Sequence, residues 1–368
     1  MKAVSSFNEW DPLEEVIVGT ARNAVKPAFE PAFGPYYGPD SPERAFPGAP
    51  FPAEEIDRAE RQLDSFAALL EREGVTVRRP EPIRHDVPFS TPEFAVPFGH
   101  ASACPRDVLL VIGDEIIEAP MAQRCRYFEY RAYRPLLKEY FQRGARWTTA
   151  PKPSMSDDLY VRDYGGDMGL PFDLDSHPAL TEFEPCFDAA CFSRFGRDIF
   201  WQPDLVSNRF GIDWLRRHLG PEFRIHRIDF RERVPEHIDT TLVPVRPGVV
   251  LVNPERPCAN EMLGPFHDSD WQVLPGPPSV RTGKPSRRSV SNWISLNFLS
   301  LDERTVVVEA AEEPLMELLR SIGCDVVPCE FDAVFAFGGS FHCCTVDIRR
   351  SGRLESYFPS HDWKDGSR

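Results

Sequence analysis

Three residues of the sequence have side chains that together could catalyse a reaction: Cys343, and about a hundred residues before it His237 and Asp239. His237 and Asp239 flank one residue, and in an extended segment their side chains would face the same side. Two glycines precede Cys343, as is typical of a backbone that passes close to another group, in the run Gly338-Gly339-Ser340-Phe341-His342-Cys343-Cys344-Thr345. A thiol activated by an imidazole would be a nucleophile.

Taken alone, each of these residues has a simpler interpretation. A lone cysteine is usually an inert core residue, and a lone histidine or aspartate usually serves the fold. The functional interpretation therefore depends on their convergence with further aspartates. Aspartates gathered at one place would repel one another unless a cation entered, and carboxylates bind the planar donors of a guanidinium in pairs.

A repeated unit of strand, turn, strand, helix and strand provides the place of convergence. The fifth unit is divided between the two ends of the chain, so its strands would close a ring and leave no sheet edge bare. The predicted strands and helices of the five units are 107–112, 115–119, helix 121–142 and 145–150; a strand after 188, then 198–202, helix 206–219 and 223–228; 240–245, 249–253, helix 259–265 and 271–274; 293–299, 305–309, helix 311–322 and 325–328; and 341–349, 13–19, helix 53–73 and 75–79.

Equivalent positions in these units recur about every 50 residues in the second half of the chain. They are occupied by Asp107, Asp188, Asp239, Ser291 and Cys343, and an insert over 152–186 lengthens the first interval. Units arranged radially bring equivalent positions to one axis, so these five side chains are expected to meet at the mouth of one channel. The sequence predicts a ring of five α/β units in a single domain, residues 1–368.

The composition excludes several classes of protein. With 42% hydrophobic and 27% charged residues in 368, the chain has a globular balance, and its net charge of −15 disfavours nucleic-acid and anionic-membrane partners. Nine cysteines, irregularly spaced, argue against a disulfide framework or a zinc ribbon. We expect no membrane span and no signal peptide, and hence a cytoplasmic location.

Longer motifs resemble the arginine:glycine and inosamine-phosphate amidinotransferases of the pentein superfamily over nearly the whole chain. The family fold is a five-bladed α/β propeller with pseudo-fivefold symmetry, which agrees with the five units above. The matching segments are 8–19 (NEWDPLEEVIVG), 105–107 (PRD), 116–121 (IIEAPM), 131–133 (RAY), 150–153 (APKP), 187–190 (FDAA), 237–239 (HID), 253–254 (NP), 338–339 (GG) and 341–343 (FHC).

This resemblance implies a catalytic triad and a reaction. Cys343 matches the nucleophile, His237 the acid and base, and Asp188 the carboxylate that orients the histidine. The amidino group of L-arginine would move to Cys343 with release of L-ornithine, and then to an amine acceptor, in a ping-pong sequence. No cofactor and no metal take part in the family.

The resemblance also implies the residues that bind the donor. Asp107 and Asp239 match the carboxylates that hold the guanidinium, while Arg256 and Ser291 match positions that bind the α-carboxylate of arginine. Relatives are often homodimers, so a dimer is expected.

Four residues depart from the family pattern. Ser340 replaces a third glycine and is expected to stiffen its loop, and Cys191 stands where relatives carry an acid or amide. Val234 and Glu236 occupy two sites that help to set acceptor size, and neither matches the Asn and Met of glycine-specific enzymes. A carboxylate at Glu236 favours a diamine, a basic amino acid or an amino sugar over glycine, unless it points into solvent.

Two other functions remain open at this point. An arginine deiminase-type hydrolase would share the first half of the chemistry and use water in place of the amine. A non-catalytic pentein binding protein is the second, although it need not keep all three triad residues. The segments 26–52 and 152–186 are interpreted as lids or binding loops from their length and composition, with unstructured inserts as the alternative.

Overall fold

The computed structural model describes residues 2–27, 48–161, 178–231, 237–258, 260–281 and 291–358. Strands in this part of the chain are short, and β-branched runs such as Val249–Val252 account for several of them. In chain order they are β1 (Leu13–Val18), β2 (Thr76–Arg78), β3 (Phe89–Ser90), β4 (Ala95–Val96), β5 (Leu109–Ile112), β6 (Glu115–Glu118), β7 (Arg146–Thr149), β8 (Phe192–Phe195), β9 (Asp198–Trp201), β10 (Arg224–Arg227), β11 (Leu242–Arg246), β12 (Val249–Val252), β13 (Gln272–Pro275), β14 (Leu299–Ser300), β15 (Thr305–Glu309), β16 (Asp325–Cys329) and β17 (Thr345–Arg350).

Helices connect the strands, and the longest of them has one apolar face. Residues Leu63, Phe66 and Leu70 recur at helical spacing on that face and are fully buried. Within the described ranges the α-helices are α1 (Ala53–Arg72), α2 (Pro105–Val108), α3 (Arg134–Gln142), α4 (Arg209–Leu219), α5 (Gly264–Asp268) and α6 (Glu313–Ser321). Shorter 3₁₀ turns include Arg124–Arg126, Glu129–Ala132, Ala189–Cys191, Asn260–Leu263, Ile294–Leu296 and Val334–Phe337.

Five three-stranded sheets share one topology among the residues that the structure describes. In each, the middle strand runs antiparallel to one neighbour and parallel to the other, so the repeated unit is confirmed as an α/β unit with a mixed sheet. The sheets are β5-β6-β7, β8-β9-β10, β11-β12-β13, β14-β15-β16 and β17-β1-β2, and β3 and β4 form a separate pair.

The hairpin between β8 and β9 illustrates why the predicted turns form. Gly196 has a φ of 69°, a conformation that glycine adopts without steric cost. A Cβ at this position would lie 2.2 Å from the carbonyl oxygen of Glu355, so any other residue would displace the neighbouring chain.

The two ends of the described chain meet in one sheet. Strand β17 pairs antiparallel with β1, from Arg350 opposite Leu13 to Thr345 opposite Val18, and β2 pairs parallel on the other side of β1. The predicted division of one unit between the two ends is therefore confirmed.

Several predicted bounds are wrong where strands were expected to begin. Residues 105–108 form the helical turn α2, because Pro105 at its first position fixes φ for a helix. The strand expected from 341 begins only at Thr345, and residues 294–296 of the strand expected over 293–299 form a 3₁₀ turn. The helix expected over 121–142 is divided into two 3₁₀ turns and α3, in a stretch rich in aromatic residues of modest helix propensity.

Aromatic packing fixes the segment just before β17. The ring of Phe341 stacks on Phe331 with 4.2 Å between centroids and meets the edge of Phe66 at 5.0 Å. All three rings are fully buried, and burial of each stabilises the fold by about 1.5–3 kcal/mol. Helix α1 thus holds the segment that leads into residue 343. In the described part of the chain, none of the helices is both long and apolar enough to cross a membrane.

Candidate active site

Glycines allow the loop that carries Cys343 to fold closely on itself. Gly338 ends the 3₁₀ turn Val334–Phe337 with a φ of 101°, in the left-handed region. A Cβ on Gly339 would lie 2.4 Å from the Cβ of Cys343 and 3.0 Å from Sγ of Cys104. The backbone therefore passes close to other groups here, as the two glycines predicted.

The thiol of Cys343 is buried between a carboxylate and a carboxamide. Its Sγ lies 3.2 Å from Oδ2 of Asp239 and 3.1 Å from Nδ2 of Asn297. Burial and the negative charge of Asp239 raise the pKa of the Cys343 thiol well above its ordinary value, while His237 acts in the opposite direction. The neutral thiol is therefore favoured until a positive charge enters the site.

His237 contacts two of the aspartates singled out in the sequence. Its Nε2 lies 3.2 Å from Oδ2 of Asp188, and its Nδ1 lies 3.6 Å from Oδ1 of Asp107. The φ of 58° places His237 in the left-handed region, so the expectation of an extended segment that aligns it with Asp239 is wrong. Oδ2 of Asp204 accepts a hydrogen bond from the backbone nitrogen of His237 and helps to hold this conformation.

Arg126 links the two aspartates that contact His237. Its Nη2 lies 2.9 Å from Oδ2 of Asp107, and its Nη1 lies 3.5 Å from Oδ2 of Asp188. Nη2 also lies 2.9 Å from Oε2 of Glu129, where burial raises the pKa of the carboxyl to about 7 in spite of the arginine. Oδ1 of Asp107 and Oδ1 of Asp188 are buried and make no hydrogen bond, so each can accept one from a ligand.

A second imidazole contacts the same oxygen of Asp239 as the thiol does. Nδ1 of His342 lies 2.9 Å from Oδ2 of Asp239, and its Nε2 lies 3.3 Å from Oε2 of Glu9. Although burial opposes ionisation, the hydrogen bond with His342 and its charge lower the pKa of Asp239 to about 2. Two hydrogen bonds of 2.7 Å from Arg194 likewise keep the pKa of Glu9 low against burial. Asp239 is thus held as a carboxylate.

Arg256 and Ser291 lie together beside the turn that follows Asp239. Nη2 of Arg256 donates a hydrogen bond to Oγ of Ser291 at 3.0 Å. Its Nη1 donates to the hydroxyl groups of Thr240 and Thr241, each at 2.7 Å. These contacts hold the buried guanidinium of Arg256 against Thr240 and Thr241, the two residues that follow Asp239 in the chain.

The structure describes two of the four residues that depart from the family pattern. The thiol of Cys191 donates a hydrogen bond of 2.9 Å to Oδ2 of Asp204, the residue that also holds the backbone of His237. Ser340 is buried and lies outside the left-handed region, so the serine adds no backbone strain. Val234 and Glu236 lie outside the described residues, as do most of 26–52 and the middle of 152–186.

Asp107, Asp188 and His237 also place three potential metal-ligand atoms within 4.8 Å of one another. The cationic Arg126 contacts both carboxylates, however, and its charge would oppose a divalent ion at the same place. The donor set fits a planar cation better, because such a cation needs acceptors at its edge and no inner coordination sphere.

Four residues that shape the site were not found by reasoning from the sequence. They are Asp204, which holds the backbone of His237; Arg126, which joins two aspartates; Asn297, which contacts the sulfur; and His342, which supports Asp239. His342 is adjacent to the cysteine, which could have served as a signal. The others lie at ordinary positions in the chain and become recognisable only through their spatial partners.

The arrangement can do one kind of chemistry well. A buried sulfur, an imidazole and several carboxylates lie close enough to shift one another's pKa values, and the carboxylates outnumber the nearby cations. A planar cationic ligand would supply the missing positive charge, lower the pKa of the thiol and present an electrophilic carbon to it. These groups suit nucleophilic attack on a guanidinium or amidinium carbon.

Comparison with proteins of known sequence gives a consistent set of relatives. The mitochondrial glycine amidinotransferase of Danio rerio is 46% identical over 369 residues, which cover 96% of this chain and 85% of the relative. The L-arginine:L-lysine amidinotransferase of Pseudomonas savastanoi pv. phaseolicola is 46% identical over 356 residues, which cover 96% of each chain. No protein-family model matches the chain.

Solved structures agree with the sequence relatives. SxtG, an amidinotransferase from Microseira wollei in the saxitoxin biosynthetic pathway, superposes with a TM-score of 0.88 at 48% identity, over 97% of this chain and 100% of its own. The inosamine-phosphate amidinotransferase of Streptomyces griseus superposes with a TM-score of 0.87 at 37% identity, with the same coverage. The N-terminal domain of the arginine dihydrolase ArgZ, from cyanobacteria, has a TM-score of 0.59 at 12% identity over 91% of this chain and 97% of its own, and shows a likeness of fold alone.

Proposed function

The chain belongs to the amidinotransferase family, and we propose from this premise that it moves the amidino group of L-arginine through a covalent intermediate on Cys343 to an amine, releasing L-ornithine. The observation that carries the proposal is the buried sulfur 3.2 Å from the Asp239 carboxylate, beside His237, which lowers the pKa of the thiol and lies 3.2 Å from Asp188. A thiol, an imidazole and an orienting carboxylate form the arrangement of a catalytic triad.

The donor is proposed to bind with its guanidinium between Asp107 and Asp239. Oδ1 of Asp107 is a buried acceptor without a hydrogen bond, and Asp239 is held as a carboxylate, so both can accept N–H groups of arginine. Arg256 and Ser291 would bind the α-carboxylate of the donor.

Arginine itself would activate the thiol. The negative charges of Asp239 and Asp107 raise the pKa of Cys343, as burial does. A guanidinium bound to both carboxylates offsets these charges, so the thiolate becomes accessible at neutral pH. His237 takes the thiol proton, and its imidazolium is stabilised by Asp188, 3.2 Å away.

Two half-reactions then follow. The thiolate forms a bond to the guanidinium carbon, and the bond from this carbon to the side-chain nitrogen of the future ornithine breaks as His237 returns a proton to that nitrogen. After ornithine leaves, an amine enters, loses a proton to His237 and attacks the same carbon. The carbon–sulfur bond breaks and its electron pair returns to the sulfur. No oxidation or reduction occurs, so the proposed reaction needs no cofactor and no metal.

The first half-reaction provides a direct test. Enzyme mixed with arginine and no acceptor is expected to release about one equivalent of ornithine and to gain one amidino group on the peptide that contains Cys343. Citrulline accumulating over many turnovers would show a deiminase-type hydrolase instead. Substantial transfer by Cys343→Ser would remove Cys343 from its proposed role.

The acceptor is proposed to be a basic amino acid, a diamine or an amino sugar, and not glycine. Val234 and Glu236 differ from the Asn and Met of glycine-specific enzymes, and a carboxylate at 236 suits an acceptor with a second ammonium group. The lysine-using relative supports this class of acceptor, while the glycine-using relatives, equally similar, make glycine the control. A competition among glycine, lysine, putrescine and an amino sugar, with arginine as donor and mass spectrometry as readout, would decide. Preference for glycine would overturn this part of the proposal.

We also propose the larger organisation of the molecule. The five sheets are taken as the blades of a closed five-bladed propeller in a single domain, 1–368, which the shared topology and the pairing of β1 with both β17 and β2 support. A cytoplasmic homodimer without nucleic-acid or membrane partners completes the proposal. The nine free thiols and the net charge of −15 support a reducing compartment and the lack of anionic partners.

A further inference from the structure

We propose that Asn297 is a further catalytic residue, which donates a hydrogen bond from its carboxamide to the attacking sulfur of Cys343. This inference rests on the proposed role of Cys343 as the nucleophile. Asn297 lies between the 3₁₀ turn Ile294–Leu296 and β14, and it is fully buried. Its Nδ2 lies 3.1 Å from Sγ of Cys343.

Backbone donors on the loop of Cys343 determine which end of the carboxamide faces the sulfur. The backbone nitrogens of Cys343 and Ser340 donate hydrogen bonds of 3.0 Å and 3.2 Å to the same terminal atom of Asn297. Because two N–H groups need an acceptor, this atom must be the oxygen. The other end is therefore the NH₂ group, and it faces the sulfur.

The carboxamide is held in this orientation by its surroundings. The backbone oxygen of Asn297 also accepts a hydrogen bond of 3.3 Å from the backbone nitrogen of His342, so the residue is joined to the loop at three points besides the sulfur. Rotation of the side chain would break two of these bonds and leave buried N–H groups without an acceptor, which opposes the rotation.

A fixed N–H donor favours the charged form of its acceptor. A thiolate accepts hydrogen bonds more strongly than a thiol, so the bond from Asn297 stabilises the nucleophilic form of Cys343. It acts against burial and against the charge of Asp239, both of which favour the neutral thiol. The same bond would assist the second half-reaction, in which the sulfur leaves the amidino carbon with the electron pair.

The test measures the thiol directly, without arginine. Alkylation of Cys343 by uncharged iodoacetamide is followed against pH by mass spectrometry of its peptide in the wild type, Asn297→Asp and Asn297→Ala. We expect the midpoint of alkylation to rise by about one pH unit or more in both variants, and further in Asn297→Asp, which adds a negative charge.

Asn208→Asp is the matched control. Asn208 is also buried, accepts two backbone N–H groups and donates to two carbonyls, but it caps α4 and holds no thiol. We expect it to lower stability and to leave the alkylation midpoint unchanged. A midpoint in either Asn297 variant that matches the wild type overturns the proposal.

A second measurement needs no change at position 297. In wild-type protein with ¹⁵N-labelled asparagine, one side-chain amide signal should titrate with the midpoint of Cys343 alkylation and should lose this titration in Cys343→Ser. The lack of such a signal overturns the proposal even if the Asn297 variants do not fold. Failure of the proposed transfer reaction is a separate result, because it would appear as missing ornithine while the alkylation midpoints still report on Asn297.

Discussion

The thiol of Cys343 and the carboxylate of Asp239 lie 3.2 Å apart, and the negative charge of the carboxylate opposes the ionisation of the thiol. Asp239→Asn should therefore change two properties in opposite directions. Alkylation of Cys343 by uncharged iodoacetamide near pH 7 should become faster, by about tenfold for each unit by which the pKa falls. Amidination of Cys343 by arginine should become slower by about 10–100-fold, since a guanidinium ligand is lost.

The control for this pair of measurements is Asp325→Asn, because the side chain of Asp325 is 65% exposed. Neither rate should change in the control. A slower alkylation in Asp239→Asn would contradict the assigned electrostatic effect.

Arg256→Met should impair arginine selectively as a donor. Arg256 and Ser291 are proposed to bind the α-carboxylate, which agmatine, the decarboxylated analogue of arginine, lacks. The rate of Cys343 amidination by arginine should fall about 10–100-fold, since a hydrogen bond between charged groups is worth about 1.5–3 kcal/mol. The rate with agmatine should stay near that of the wild type. Equal losses with both donors would mean that Arg256 only supports the fold.

Arg126→Met should destabilise the protein strongly. The Arg126 side chain is 7% exposed and contacts three carboxylates, so its removal leaves buried negative charge without a partner. We expect the free energy of unfolding in urea to fall by about 3–5 kcal/mol. Arg146→Met, at a side chain 62% exposed, should cost less than about 1 kcal/mol. Equal losses in the two variants would show that the buried contacts contribute little.

Deprotonation of Glu129 should lower the free energy of unfolding as the pH rises. Its pKa is raised from an ordinary value of 4.5 to about 7, so between these values the folded state holds a proton that the unfolded state has released. The free energy of unfolding must then decrease with pH in this window. Urea unfolding at several pH values from 5 to about 7.5 should show a shallower decrease for Glu129→Gln than for the wild type. Glu317→Gln, at an exposed position, should follow the wild type, and a parallel course for Glu129→Gln would refute the assignment.

Local patterns in the sequence were sufficient to identify the repeated units. The run Val249–Val252 and the turn at Gly196 each carry a signal within a few residues, because strand preference and left-handed glycine are local properties. Equal spacing then placed Asp188, Asp239 and Cys343 at equivalent positions, from which their approach to one site could be expected.

Contacts between distant segments could not be predicted in this way. The pairing of Arg126 with Asp107 and Asp188 leaves no mark in the residues around any of them, because ion pairs depend on the final arrangement of three separate segments. The left-handed backbone of His237 was missed for a similar reason. Its conformation is supported by Asp204, a residue from another unit.

The pairing of β1 with β17 bears on the order in which a ribosome makes this protein. Strand β1 is synthesised well before its antiparallel partner, which lies more than three hundred residues later in the chain. Since Cys343 lies two residues before β17, the pocket around its sulfur cannot be completed until this later part of the chain has been synthesised. The edge of β1 that pairs with β17 must therefore wait unpaired during that interval.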